Sequence, residues 1–183
     1  MESLDIEKVY AYIDRYTKLN FLVRVLTNNS SKSAEEFNTA TFDIDFSDLG
    51  LSEEAAMVLS ANPNVVNLKK FANEILYLAE QASIGVFGHM VKLSSEDKEA
   101  VKEYVDGMVA TYLNKIGTCQ DAYYAIVVEI EASIREENAQ KTRTLGKMAK
   151  ASLNKITEYN TICQNYSNVS SYLRGMISHR GLK

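Results

Sequence analysis

From Thr118 to the last residue the chain contains no proline, and within that stretch Ala149, Ser152, Ile156, Tyr159, Cys163, Tyr166, Ser170, Leu173 and Ile177 follow one another in alternating steps of three and four. That spacing keeps one stripe of a helix against a second helix over many turns, so the segment has to find a helical partner. A continuous helix from 118 to 178 would be about 90 Å long at 1.5 Å per residue, too long for a compact domain of 183 residues. We therefore expect either a bend near Asn138 or Gly146 or an elongated molecule.

The remainder reads as helices of ordinary length. Ile6, Val9, Ile13, Tyr16, Asn20 and Val23 define an amphipathic helix over about 4–27, which the run Asn28 to Ser33 ends in a loop. Phe42, Ile44 and Phe46 alternate with Asp43 and Asp45, the period of an extended segment, and a single such segment has to lie against helices. Ser52 before Glu53 and Glu54 opens a short helix to about Ala61, and Asn62-Pro63 opens a third to about Ile84. Gly85 and Gly88 mark a break. Ser94 with Asp97 caps a fourth helix that Gly117 closes, and Thr118 with Asp121 caps the long final stretch.

One proline, eight glycines and no tryptophan leave too few turn residues for many short strands. The expected fold is all-α, an elongated helical bundle with a long C-terminal helix or helical hairpin and one short extended acidic segment. It forms a single helical domain over 1–183, with acidic helices over 1–117 and a basic helical region over 118–183. The N-terminus is acidic where a signal peptide is basic, and no apolar run approaches the length of a membrane span, so a soluble, cytoplasmic protein is expected. Cys119 and Cys163 stand apart on apolar helical patterns and read as free buried thiols.

The net charge of −4 conceals a strong asymmetry. Residues 1–137 hold 12 bases and 23 acids, a net of −11, whereas 138–183 hold eight bases and only Glu158, a net of +7. Lys141, Arg143, Lys147, Lys150 and Lys155 form a basic cluster suited to an acidic partner surface, either the acidic segment around Asp43 or another copy, or to a polyanion. The cluster has no aromatic residue on which a base could stack, so nucleic acid is the less favoured partner. Ile156, Tyr159, Cys163, Tyr166, Leu173 and Ile177 are the expected helix interface.

Asp43, Asp45, Ser47 and Glu54 fall at positions 1, 3, 5 and 12 of a calcium loop, but Asp48 stands where the loop requires glycine. His89 has no companion ligand nearby. No metal and no cofactor is expected.

The last motif is Leu173-Arg174-Gly175-Met176-Ile177-Ser178-His179-Arg180-Gly181. An arginine and a histidine separated by four residues can converge on one phosphate, the first binding its charge and the second moving a proton. This resembles the R-x4-H signature of HEPN ribonucleases, all-α proteins that typically dimerise over RNA. The resemblance implies Arg174 and His179 as catalytic residues of a ribonuclease or RNA-binding toxin. The leading expectation is nevertheless non-enzymatic: a helical protein acting through association with a protein partner or as a homo-oligomer, as an assembly subunit, adaptor or filament component.

Overall fold

The computed structural model describes residues 5–28 and 42–181, with the side chains of Asn28 and of residues 178–181 outside the description, as is the loop expected over Asn28 to Ser33. Six α-helices and one 3-10 turn make up the described residues: α1 (Ile6–Asn28), the 3-10 turn (Phe46–Asp48), α2 (Glu53–Ala61), α3 (Val65–Lys70), α4 (Ala72–Lys92), α5 (Ser95–Arg135) and α6 (Ala139–Gly181). The fold is all-α, with no β-strand among these residues.

The capping signals act where their side chains reach backbone donors. Ser52 Oγ accepts from the Ala55 N–H at 3.3 Å and Ser94 Oγ from Asp97 at 3.1 Å; the third cap is not the expected Asn62-Pro63 but Asn64, whose Oδ1 accepts from the Asn67 N–H at 3.0 Å. Phe42 to Asp45 are neither helix nor strand, with Asp45 in the extended region (φ −81°, ψ 112°), before the chain tightens into the 3-10 turn and reaches Gly50, which takes φ +81°.

Three glycine breaks do not occur. Gly85 and Gly88 lie inside α4, and Gly117 lies inside α5, where Thr118 donates its hydroxyl to the Asn114 carbonyl instead of capping a new helix. Each interior glycine costs about 1 kcal/mol relative to alanine. In α4 the burial of Ile75, Ala79, Val86 and Met90 offsets that cost, and in α5 that of Val105, Tyr112 and Ile116 does so. The expected third helix is instead divided at Phe71, whose φ of −112° and ψ of 23° separate α3 from α4.

α1 lies at the centre, packing on α4, α6, α5 and α3, while α5 and α6 run antiparallel along each other as a hairpin. The core joins Ile13, Leu19 and Leu22 of α1 to Ile75 and Met90 of α4, Val101 and Val105 of α5, and Tyr166 and Leu173 of α6. It takes in α5 only as far as Cys119 and α6 only from Ile156 onward. The hairpin is about 60 Å long at 1.5 Å per residue, so residues 120–155 form a two-helix arm beyond the bundle. Along the arm the seam is Ser133, whose hydroxyl meets that of Thr142 at 2.7 Å, together with buried Leu145 and Ala149.

The bend falls at Asn138, one of the two expected places, and Gly146 stays helical. The Glu137 N–H donates to the Ile134 carbonyl and the Asn138 N–H to that of Ser133, a helix ending that places Glu137 in the left-handed region at φ 56°. Asn138 Oδ1 then accepts from the Lys141 N–H at 3.1 Å and starts α6. Glutamate is strained in that conformation and glycine is not. Glu137→Gly is accordingly expected to stabilise the protein by about 1 kcal/mol, read as a higher urea midpoint; an unchanged or lower midpoint would contradict the strain at the tip.

Candidate functional site

Two carboxylate-tyrosine nodes occupy the waist of the bundle. Asp14 of α1 accepts from Tyr104 Oη of α5 at 2.7 and 2.9 Å and from Tyr166 Oη of α6 at 2.5 Å, so one side chain ties three helices together. The Tyr10 ring stacks on Tyr104 at 4.1 Å, and Asn165 Nδ2 donates to the Thr17 carbonyl at 2.9 Å. On the other side of the Tyr112 ring, Asp43 of the extended segment accepts from Tyr159 Oη at 2.8 Å, while its own N–H donates to both carboxylate oxygens of Glu158 at 2.9 and 3.2 Å. Tyr112 lies 5.8 Å from the rings of both Tyr159 and Tyr166, and Lys115 Nζ sits 5.0 and 5.5 Å from the Tyr112 and Tyr159 ring centres.

Burial, followed by the neighbouring carboxylates, raises all four phenols, Tyr112 to about 12. Tyr104, Tyr159 and Tyr166 are held as donors, and no buried side-chain N or O among the described residues lacks a hydrogen-bond partner. Burial also pushes Glu158 up to about 7, with the nearby Asp43 carboxylate adding to it and the Asp43 and Ile44 N–H groups and Lys155 opposing it. Saturated donors on closed acceptors leave no activated nucleophile here. The arrangement fastens α1 and the acidic segment onto the hairpin.

Sequence reasoning passed over this network, although a signal was present. Glu158 is the lone acid of 138–183 and sits between seam residues Ile156 and Tyr159, and Asp14 sits beside buried Ile13.

The expected interface residues have their helical partner within the chain. Tyr159, Cys163, Tyr166 and Leu173 are buried and Ile156 and Ile177 partly so, with α5 as the facing helix. Cys163 Sγ lies 3.7 Å from the Val109 carbonyl of α5, and both cysteines are free thiols, Cys119 only partly buried.

Arg174 is exposed on α6 and lines a groove of about 330 Å³ with Glu99, Lys102, Glu103, Asp106 and Ile177. Lys102 Nζ is 2.6 Å from Asp106, which also accepts from Ser170 Oγ at 2.5 Å. Burial alone would raise the Asp106 carboxyl, yet these two bonds bring it below its ordinary value. Three carboxylates against two cations make the groove a poor host for phosphate. Five residues of helix separate the backbone directions of Arg174 and His179 by about 140°; the His179 side chain lies outside the described residues.

Lys141, Arg143, Lys147, Lys150 and Lys155 are all exposed along α6 in the arm, and among the described residues none of them forms an ion pair. Arg143, Lys147 and Lys150, at spacings of four and three, share the face opposite the seam. The described part of the acidic segment meets α6 at Glu158 and Tyr159, just beyond Lys155, through hydrogen bonds.

No described group of three or more His, Cys, Asp or Glu side chains is placed to hold a metal ion, and no described helix is long and apolar enough to cross a membrane. No family model, curated protein or solved structure matches the chain.

Proposed function

We propose that the protein acts without catalysis, as a helical association subunit whose arm presents the basic face of α6 to an acidic protein surface. The observation that carries this reading is the run of five exposed cations, with no acid between Asn138 and Thr157, on a hairpin that extends beyond the core. Cations that form no ion pair among the described residues can meet an acidic partner surface, where they steer encounter and fix register. The mixed-charge groove at Arg174 adds little to the second proposal, RNA cleavage by Arg174 and His179.

One binding experiment separates the two. Poly-glutamate and single-stranded RNA are titrated against the protein at about 50 and 500 mM salt, a range over which exposed charges become screened. Binding of the acidic polypeptide that weakens with salt and falls at least about tenfold in Lys147→Glu/Lys150→Glu supports the association reading. RNA cleavage that is lost in His179→Ala would replace it, and binding to neither polymer would remove it.

A further inference from the structure

A groove that belongs neither to the waist nor to the arm runs between α1 and α4, encloses about 180 Å³ and is mostly apolar. Leu78, Ala82 and Val86 of α4 supply its apolar lining. At one end stand Tyr12 and His89, with ring centres 5.3 Å apart and ring planes at 81°. At the other end stands Arg15 of α1, beside Leu78 and Gln81.

The space depends on a glycine. Gly85 lies on the side of α4 that lines the groove, four residues from both Gln81 and His89, and a Cβ added to it would meet nothing within 4 Å. Glycine is an unfavourable residue inside a helix, and here it leaves the middle of the groove open. A cavity of about 150 Å³ holds a benzene ring, so this one takes a single ring with a small substituent.

Charge decides the substituent. Among the described residues that line the groove there is no carboxylate, and Arg15 is the one with a permanent charge. Its Nε donates to the Asp48 carbonyl at 3.3 Å, and a Cβ built at Gly50 would lie 3.8 Å from both Arg15 Nη1 and Leu78 Cδ2, so the 48–50 turn holds the guanidinium at the Leu78 end. No carboxylate among the described residues forms an ion pair with it. Glu74, one turn before Leu78, accepts from the N–H and hydroxyl of Ser52 instead. Exposed Lys8 and Lys92, one turn beyond Tyr12 and His89, add positive charge at the opposite end. Tyr12 and Arg15 are three residues apart on one helix, so their side chains leave the backbone about 5 to 6 Å from each other, a spacing that suits a ring against the first and an anionic group on the second.

We propose that this groove binds a small aromatic monocarboxylate, its ring against Tyr12, His89 and the backbone of Gly85 and its carboxylate on the Arg15 guanidinium. A ligand of about nine non-hydrogen atoms in such a groove is expected to dissociate at about 0.1 to 1 mM. The site is separate from the arm, and either assignment can fail while the other stands.

The test titrates the full chain with benzoate, benzyl alcohol and benzylammonium, which share a ring and differ in charge, and follows the amide signals by NMR. Benzoate should shift Tyr12, Gly85 and His89 saturably and bind at least about tenfold more tightly than the alcohol, and benzylammonium should bind least. Arg15→Gln should weaken benzoate at least about tenfold and leave the alcohol unchanged, removing the preference for the anion. Gly85→Leu should abolish binding of both, because leucine fills the middle of the groove. Leucine is also the better helix former, so this variant should melt no lower than the wild type, which separates a filled groove from a lost fold. If it does not fold, the Arg15→Gln comparison decides. Lys147→Glu/Lys150→Glu should leave benzoate binding unaltered, since those cations lie on the arm. Benzylammonium that binds as tightly as benzoate overturns the proposal. So does benzoate binding that survives Gly85→Leu or Arg15→Gln in a folded protein, or the absence of saturable shifts by about 10 mM benzoate.

Discussion

Asp14→Ala is expected to remove about 3 to 5 kcal/mol of stability, because two hydrogen bonds to a charged acceptor, each worth about 1.5 to 3 kcal/mol, are lost together. The loss is sharpened by what remains. Tyr166 is 0% exposed, and its hydroxyl would keep only Thr17 within reach, while Tyr104 would turn a freed hydroxyl toward α1. With a urea slope of about 2 kcal/mol per molar for a chain of this size, the midpoint should fall by roughly 2 M. Asp14→Asn keeps an acceptor oxygen and should recover part of the loss, and Tyr166→Phe should cost about 1 to 2 kcal/mol by itself. A loss below about 1 kcal/mol in Asp14→Ala would mean that the three helices are held by apolar packing alone.

The second large effect is a dependence on pH. Glu158 is 1% exposed, and its carboxyl is raised from the ordinary 4.5 to about 7, chiefly by burial. The folded protein therefore keeps a proton that the unfolded chain releases, so the contribution is fully present below pH 4.5 and is lost as pH rises through 7. At 1.36 kcal/mol per unit, the folded state should lose about 3 kcal/mol across that window. The groups facing Glu158 set the effect's size: Asp43 adds to it and Lys155 opposes it, while the nearby Tyr159 and Tyr112 phenols stay protonated throughout. Unfolding free energies measured in urea between pH 4.5 and 8 should fall in the wild type and stay nearly level in Glu158→Gln. Equal slopes in the two proteins would show that the carboxyl is solvated in the folded state.

What the sequence made legible was local. Ser52 and Ser94 act on donors three residues away, so their caps can be read from spacing alone, whereas the cap expected at Asn62 falls two residues on, at Asn64. The seam from Ala149 to Ile177 shows in the 3-4 repeat because one helix records its own buried stripe. Gly85, Gly88 and Gly117 misled because a glycine's cost of about 1 kcal/mol is decided by burial that neighbouring helices supply. The hairpin tip falls at Asn138, one of the two places the sequence offered, although Glu137 holds a position where glycine is the usual marker. The waist was the least visible part. Asp14 meets its tyrosines 90 and 152 positions along the chain, and nothing in the periodicity of one helix reports an acceptor on another.

The arm has one seam where the bundle has several. A residue at the waist is held from more than one side, but between Gln120 and Lys155 each helix leans on a single neighbour, across small contacts such as Ser133 with Thr142 and Ala149. With fewer buried contacts per turn in the arm than in the bundle, local opening is expected to cost least toward the tip, which hydrogen exchange would read as weaker protection there. The basic face is carried on that part of the molecule. Were the proposed acidic partner to bind there, the free energy of ordering the arm would become part of its affinity.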